Sequence, residues 1–304
     1  MPAPRPVAHR IPGSRAHVAV GAWRLMRPGQ WPKNVFVLGG LVFGREFTHP
    51  AAVLRAFVAF AAFCLLSSAV YCINDLADRE RDRLHPRKRF RPIASGTVSP
   101  ALAGVLAVAL ALWGLIGGVL VGAGVAAVGA AYLTLNILYS FVLKHVALWD
   151  ALAVAGGFAL RALAGTEAVH VPASPWLLVC TYLLTLYVSL GKRWADAVEL
   201  EPEQRAHRGA AFTYDPDLMR LYMQVAMSAT LISYALYATQ GTHGPWMLLT
   251  LPFVIYGLFH YQHLVQSAGL GGAPDVAVLR DRAFILNGVL FAAVSVAVLL
   301  AAPM

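Results

Sequence analysis

Residues 71–96 read YCINDLADRERDRLHPRKRFRPIASG, and an apolar run over 51–73 feeds directly into them. A helix formed by that run carries its periodicity into the polar segment. Asp75, Asp78 and Asp82, at i, i+3 and i+7, then fall on one face. Asn74 lies four residues before Asp78 and joins it. Three carboxylates so placed repel one another unless a cation bridges them. Few, hard oxygen donors suit Mg²⁺ that shares its coordination with a diphosphate. The plainer alternative is a solvated charge run beside a membrane, paired internally with Arg79, Arg81 and Arg83. The basic loop that follows, Arg87, Lys88, Arg89 and Arg91, closes on Pro92 and Gly96. Guanidinium forks match phosphate oxygens two at a time. Anchoring against anionic headgroups needs the same charges and no substrate, and both roles fit different residues of the loop.

Working outward, 59% of the 304 residues are apolar and 13% charged, where a soluble domain carries about a quarter charged. Mean hydropathy is +0.63, so lipid is the expected solvent. Nine apolar stretches are long enough for membrane helices of roughly 20 residues. They lie near 28–45, 51–73, 99–120, 122–143, 146–165, 173–191, 218–239, 245–263 and 283–302. Pro28 and Pro32 should kink or delay the first. With the N-terminus inside, segments 1–33, 74–98, 144–145, 192–220 and 264–282 are cytoplasmic. They hold 21 of the 24 Lys and Arg residues; the others are Arg45, Arg55 and Arg161. That asymmetry sets the orientation in a bacterial inner (plasma) membrane and explains the formal charge of +9 without nucleic acid. The expected fold is an all-α polytopic membrane protein. Residues 1–20, rich in Pro, Arg and His, read as a flexible basic cytoplasmic tail, and 21–304 as one integral-membrane domain. No cleavable leader is read, because the basic N-terminus runs on to Trp31.

Other polar residues gather at the same membrane face. The stretch 27-RPGQWPKN-34 brings Arg27, Gln30, Lys33 and Asn34 to the point of entry; Trp31 suits an interfacial anchor, and Lys33 could simply snorkel. Lys144 and His145 precede the fifth stretch, which holds Asp150 near its start and Arg161 three turns further in. An Arg at that depth costs about 2.5–3.5 kcal/mol on insertion scales and should face a partner or a wet cavity. The sixth stretch ends in 190-LGKRWADAVEL-200, where Lys192 and Asp196 are four apart and Asp196 and Glu199 three apart. As surface ion pairs these contribute only a few tenths of a kcal/mol each. The glycine-rich 117-GGVLVGAGVAAVGAA-131 reads as close helix crossing rather than a nucleotide fingerprint, since no strand precedes it. Cys64, Cys72 and Cys180 match no zinc or redox spacing and read as small buried side chains.

With these residues in view, the chain resembles the UbiA superfamily of membrane prenyltransferases from about residue 24 to 300. The likeness rests on 27-RPGQWPKN-34, the Asn74–Asp75–x–x–Asp78–x–x–x–Asp82 pattern, 85-HPRKRFRPIASG-96, 139-YSFVLKH-145, 160-LRALAG-165, 191-GKRWAD-196 and 279-LRDR-282. The first, third and sixth of these point to the branch that moves a phosphoribosyl group. The resemblance implies a helical bundle with a cytoplasm-facing active-site cavity. It implies Mg²⁺-dependent transfer of 5-phosphoribosyl from phosphoribosyl diphosphate to polyprenyl (decaprenyl) phosphate, releasing diphosphate, for a lipid-linked pentose precursor of bacterial arabinans. On that footing Asn74, Asp75, Asp78 and Asp82 hold the metal, with Asp196 as a further candidate. Gln30, Lys33, Asn34, Lys88, Arg89, Arg91, Lys144, Arg161, Lys192 and Arg193 are candidates for the phosphates, and Tyr71, Tyr139 and Asp150 for the cavity wall. Aromatic prenyltransferases of the superfamily carry a second Asp-rich motif on the sixth helix; this chain has Gly191-Lys192-Arg193 and the single Asp196 there, where phosphoribosyl members usually show Glu. The alternatives are such an aromatic prenyltransferase using a polyprenyl diphosphate donor and, more distantly, a membrane transporter, which would need ionisable residues at mid-depth in several helices. The 279-LRDR-282 segment could serve a homo-oligomer interface or a cytoplasmic ion pair.

Overall fold

Two prolines and a pair of glycines decide how the chain enters the bundle. The computed structural model describes residues 15–199, 215–240, 245–267 and 281–301. Its first helix, α1 (Arg15–Met26), begins inside the segment expected as tail and lies against α3 (Pro50–Ala77). Between them, Pro28–Leu38 winds as a 3₁₀ helix with Pro32 in its interior, followed by the short α2 (Gly39–Phe43). Proline supplies no backbone donor and crowds the preceding turn, so the first apolar stretch is not one uninterrupted α-helix. Gly40 and Gly165 let this segment cross a later helix at backbone contact. A Cβ on Gly165 would overlap the Val37 carbonyl, and one on Gly40 the Gly165 peptide.

The remaining elements are α4 (Arg79–Leu84), α5 (Pro100–Val121), α6 (Ala123–Phe141), α7 (Trp149–Val169), α8 (Pro175–Glu199), α9 (Pro216–Gln240), α10 (Leu251–Ser267) and α11 (Arg282–Ala301). Ser99 caps α5 by accepting from the Leu102 N–H at 3.2 Å. Among the described residues seven helices are long and apolar enough to cross a membrane: α3, α5, α6, α7, α8, α10 and α11. Of the nine stretches read from sequence, the first is the broken segment just described. The seventh is α9, long enough but diluted by Gln224, Ser228, Thr230, Ser233, Tyr234 and Tyr237. Strands are absent among the described residues, and the chain is an integral-membrane, all-α protein.

The helices form two groups. Val37, Phe63, Leu66, Val125, Tyr132 and Ala164 join the first segment to α3, α6 and α7 in one apolar core. Tyr187, Trp194, Met219, Met223 and Leu258 join α8, α9 and α10 in another. α3 is the most enclosed span, with 61% of its apolar window buried, whereas α11 buries 17% and lies at the rim. A cavity of about 690 Å³ opens at the seam. Its wall runs from Val35, Phe36 and Val42 past Ala162 and Tyr187 to Phe291.

The three cations outside the segments expected to be cytoplasmic each have a backbone partner. Arg45 donates to the Leu299 carbonyl at the end of α11, and Arg55 to the Ala168 carbonyl at the end of α7 at 2.9 Å. Both sit where the negative end of a helix favours a cation. Arg161 donates to the Gly157 carbonyl at 3.0 Å.

Candidate active site

α3 does not carry its periodicity through the acidic motif. It stops at Ala77, and Asp78 (φ −92, ψ 1) turns the chain before α4 starts. The Asp78 N–H still bonds the Asn74 carbonyl at 2.9 Å, and the Asp82 N–H the Asp78 carbonyl at 2.8 Å, so the turn is tight. The single helical face expected for the three carboxylates is thus split. Asp75 and Asp82 are drawn together, and Asp78 faces elsewhere.

Arg91 does the drawing. Its Nη1 lies 3.0 Å from Asp75 Oδ1 and 2.7 Å from Asp82 Oδ2. Arg27 Nη2 reaches the same Asp75 oxygen at 2.5 Å, its guanidinium 4.9 Å from the Tyr71 ring centre. Lys144 Nζ lies 2.7 Å from Asp78 Oδ1 and 3.3 Å from Asn74 Oδ1. Asp75 and Asp82 are 2% and 3% exposed, an enclosure that carboxylates tolerate only with partners of this kind. The internal pairing with Arg79 and Arg83 is not what forms: both reach Glu80 instead, at 2.8 and 2.9 Å, and Arg81 stands 3.9 Å from Asp78. Hydrogen bonding from Arg79 holds the exposed Glu80 carboxyl below its ordinary range. Of the basic loop, Arg91 turns in, whereas Lys88 and Arg89 are exposed, Arg89 lying over the Phe90 ring.

A second cationic arm comes from α8. Arg193 Nε donates to Asp150 Oδ2 at 2.6 Å and Nη1 to the Ser189 carbonyl at 2.8 Å. The Tyr139 hydroxyl also hydrogen-bonds Arg193. Lys192 is exposed and Asp196 half-buried; they form no ion pair with each other among the described residues.

Arg161 and Asn34 meet deeper in the bundle, 127 positions apart in sequence, with Nε to Oδ1 at 2.7 Å. Arg161 Nη2 donates to the Tyr132 hydroxyl at 2.7 Å, and its guanidinium lies between the Tyr132 and Phe158 rings at 4.7 and 4.8 Å. Asn34 Nδ2 donates to Ser67 Oγ at 3.2 Å. Both polar groups are therefore engaged by the bundle itself. Gln30 and Lys33 are half-buried, and Trp31 donates to Ser68 Oγ at 3.0 Å. Leu279 and Arg280 of the 279–282 motif lie outside the described residues. Asp281 accepts from the Phe284 N–H at 2.7 Å and pairs with His260 at 2.9 Å.

Two residues of weight were given no role from sequence. Arg27 was placed at the membrane entry but not among the phosphate candidates. Tyr132 gave only the weak signal of a phenol inside a Gly- and Ala-rich helix. Chemically, one side of this face offers carboxamide and carboxylate oxygens and the other guanidinium and ammonium groups. Asn74, Asp75, Asp78 and Asp82 are a hard-oxygen donor set that fits Mg²⁺. No three His, Cys, Asp or Glu side chains stand in metal-holding geometry among the described residues, and the protein's own cations lie on the carboxylates.

The pattern of the UbiA prenyltransferase family matches residues 34–288. The chain belongs to that family. It is a membrane-bound transferase, and its relatives divide the information between them. Decaprenyl-phosphate phosphoribosyltransferase of Mycobacterium tuberculosis (strain ATCC 25618 / H37Rv) is 35% identical over 274 residues, which are 88% of this chain and 90% of that one. The protein of the same name from Corynebacterium glutamicum is 35% identical over 276 residues, 88% and 82% of the two chains. Among solved structures, a UbiA homolog from Archaeoglobus fulgidus bound to DMAPP and Mg²⁺ superposes with a TM-score of 0.72. It is 18% identical and covers 92% of this chain and 99% of the other. That likeness establishes the UbiA fold.

Proposed function

We propose that the chain transfers 5-phosphoribosyl from phosphoribosyl diphosphate to a polyprenyl phosphate such as decaprenyl phosphate, in a bacterial plasma membrane with the active site on the cytoplasmic side. The observation that carries this reading is the cationic end of α8. Where an aromatic prenyltransferase of the superfamily would place a second acidic motif, this chain has Lys192 and Arg193, the latter braced by Asp150 at 2.6 Å. A site that must neutralise a diphosphate and a second, lipid-borne phosphate needs such cations in place of a second metal. The names of the relatives support the same substrates.

Asn74, Asp75, Asp78 and Asp82 would hold Mg²⁺, which when bound neutralises charge growing on the departing diphosphate. Arg91, Arg27 and Lys144 lie against those carboxylates and within reach of phosphate oxygens bound there. Arg193, held by Asp150, and the exposed Lys192 lie at the end of α8, and we assign them to the phosphates as well. The acceptor phosphate oxygen attacks the anomeric carbon as the bond to diphosphate breaks, and the electron pair leaves with the diphosphate. That oxygen is anionic near neutral pH, so the chain needs no general base. The apolar cavity at the seam, lined by residues such as Val35, Val188 and Val296, would take the polyprenyl tail.

The test is a transfer assay with purified protein, Mg²⁺, decaprenyl phosphate and radiolabelled phosphoribosyl diphosphate. Label should enter the lipid phase only with Mg²⁺ present. Asp78→Ala should cut the rate about a hundredfold or more, the scale of losing one electrostatic stabiliser. Turnover of a polyprenyl diphosphate with an aromatic acid, and none from phosphoribosyl diphosphate, would replace this reading with the aromatic prenyltransferase.

A further inference from the structure

We propose that Arg91, with Arg27 and Lys144, acts as an internal counter-ion that yields the metal-binding carboxylates only when a diphosphate arrives to take its charge. The idea rests on the proposed function and adds to it an order of events: metal and diphosphate bind together, and the metal alone binds poorly.

The geometry behind it is a match of close partners. Asp75, Asp78 and Asp82 carry three negative charges, and Arg91, Arg27 and Lys144 carry three positive ones within 3.0 Å; the exposed Arg81 stands further off, 3.9 Å from Asp78. Arg91 spans two carboxylates through one nitrogen, at 3.0 and 2.7 Å, so it occupies oxygens that would otherwise be free to hold a divalent cation. Lys144 spans the other two donors, Asn74 and Asp78, in the same way. A lone divalent ion entering this cluster must displace these cations or stand beside them, and either is unfavourable. A diphosphate removes the conflict. It gives each displaced cation a charge-assisted oxygen partner while the metal takes over the carboxylates. The buried carboxylates are then never left uncompensated between turnovers, which would be costly at 2–3% exposure. The cations also have room to turn. Arg91 follows a 3₁₀ turn at an extended backbone position (φ −61, ψ 145), and its side chain and that of Arg27 are about a quarter exposed. The consequence is reciprocal coupling between the two ligands.

The experiment uses the full chain in nanodiscs and follows Mn²⁺ binding by electron paramagnetic resonance, without diphosphate. Arg91→Gln should bind Mn²⁺ about tenfold more tightly than the wild type, the effect of releasing a cation from a partly exposed pair. Lys144→Gln, on a separate turn, should do the same through Asp78 and gives an independent answer should Arg91→Gln fold poorly. Arg87→Gln removes the same charge four residues away from an exposed side chain and should leave Mn²⁺ affinity unchanged. Tighter binding in the first two variants alone supports the handover. Affinity equal to wild type in both, or raised equally by Arg87→Gln, overturns it. The transfer assay on the same preparations separates the two proposals. Mg²⁺-dependent transfer with unaltered Mn²⁺ affinities refutes the handover and leaves the function standing. Absence of transfer, with Mn²⁺ binding indifferent to Asp78→Ala, refutes the function and the handover with it.

Discussion

At the scale of single residues, Arg161 and Arg193 show how similar sequence signals part company in the fold. Both are arginines on helices formed by apolar stretches, and both were candidates for phosphate. Arg193 keeps company with Asp150 and Tyr139. Arg161 is 6% exposed, sandwiched between two rings and bonded to Asn34 and Tyr132. Its charge is stabilised by oxygen acceptors and aromatic faces, so it locks the first segment to α6 and α7. Arg161→Gln should leave Asn34 Oδ1 and the Tyr132 hydroxyl short of a donor and cost about 1–3 kcal/mol of stability. A fall in the apparent Tm of the detergent-solubilised protein, with the KM for phosphoribosyl diphosphate unchanged in the protein that remains folded, is the expected result. A raised KM at unchanged Tm would instead assign Arg161 to the substrate. The Asp75–Asp82 association was legible in the i, i+7 spacing. The partners of Arg161 were not, because Asn34 is 127 positions away and nothing local in either segment encodes the meeting.

At the scale of elements, apolar length carried most of the information, and it failed where the backbone itself intervened. The runs that became α3, α5, α6, α7, α8, α10 and α11 have no competing local signal. The 28–45 stretch is less apolar, with Gln30, Lys33, Asn34 and Arg45 in it, and Pro28 and Pro32 withdraw donors, so it becomes 3₁₀ and short α pieces. The break at Asp78 had no proline or glycine to announce it, which is why one face was expected for all three carboxylates. α11 illustrates an element held by its ends. Few of its residues are buried, yet Arg45 caps its last turn and Asp281 its first. The Phe284 N–H, and after it His260, hold the Asp281 carboxyl below its ordinary range. A depressed carboxylate contributes stability that is present above its unfolded value of about 3.9 and is lost as pH falls through the lower folded one. Asp281→Ala should therefore speed amide exchange in the first turn of α11 at pH 7. The variant and the wild type should converge under acid conditions, where the wild-type carboxyl is itself protonated.

At the scale of the whole molecule, the two helix groups meet along a seam whose polar end holds the charged cluster and whose apolar depth holds the cavity. The polar end was legible in outline, since Arg27, Asp75, Asp78, Asp82, Arg91, Lys144, Asp150 and Arg193 all lie beside or near the ends of apolar stretches in the sequence. The cavity was not, because its wall is assembled from residues spread between Val35 and Val296, each an ordinary apolar residue in its own helix. If the polyprenyl tail leaves the phosphate through this cavity, then narrowing it should penalise acceptors by length. Gly288 allows a clean version of the experiment. It lines the cavity on α11, and a Cβ built there meets no atom within 4 Å. Gly288→Phe should be tolerated by the fold, because replacing an interior helical glycine removes a conformational penalty of about 1 kcal/mol. The added ring should project into space a tail would use. We expect kcat/KM for decaprenyl phosphate to fall about tenfold while that for a one- or two-isoprene phosphate stays within about twofold, as one displaced apolar contact of about 1.4 kcal/mol implies. Equal losses for both acceptors would put the obstruction at the phosphate, and no loss for either would send the tail along another face of the bundle.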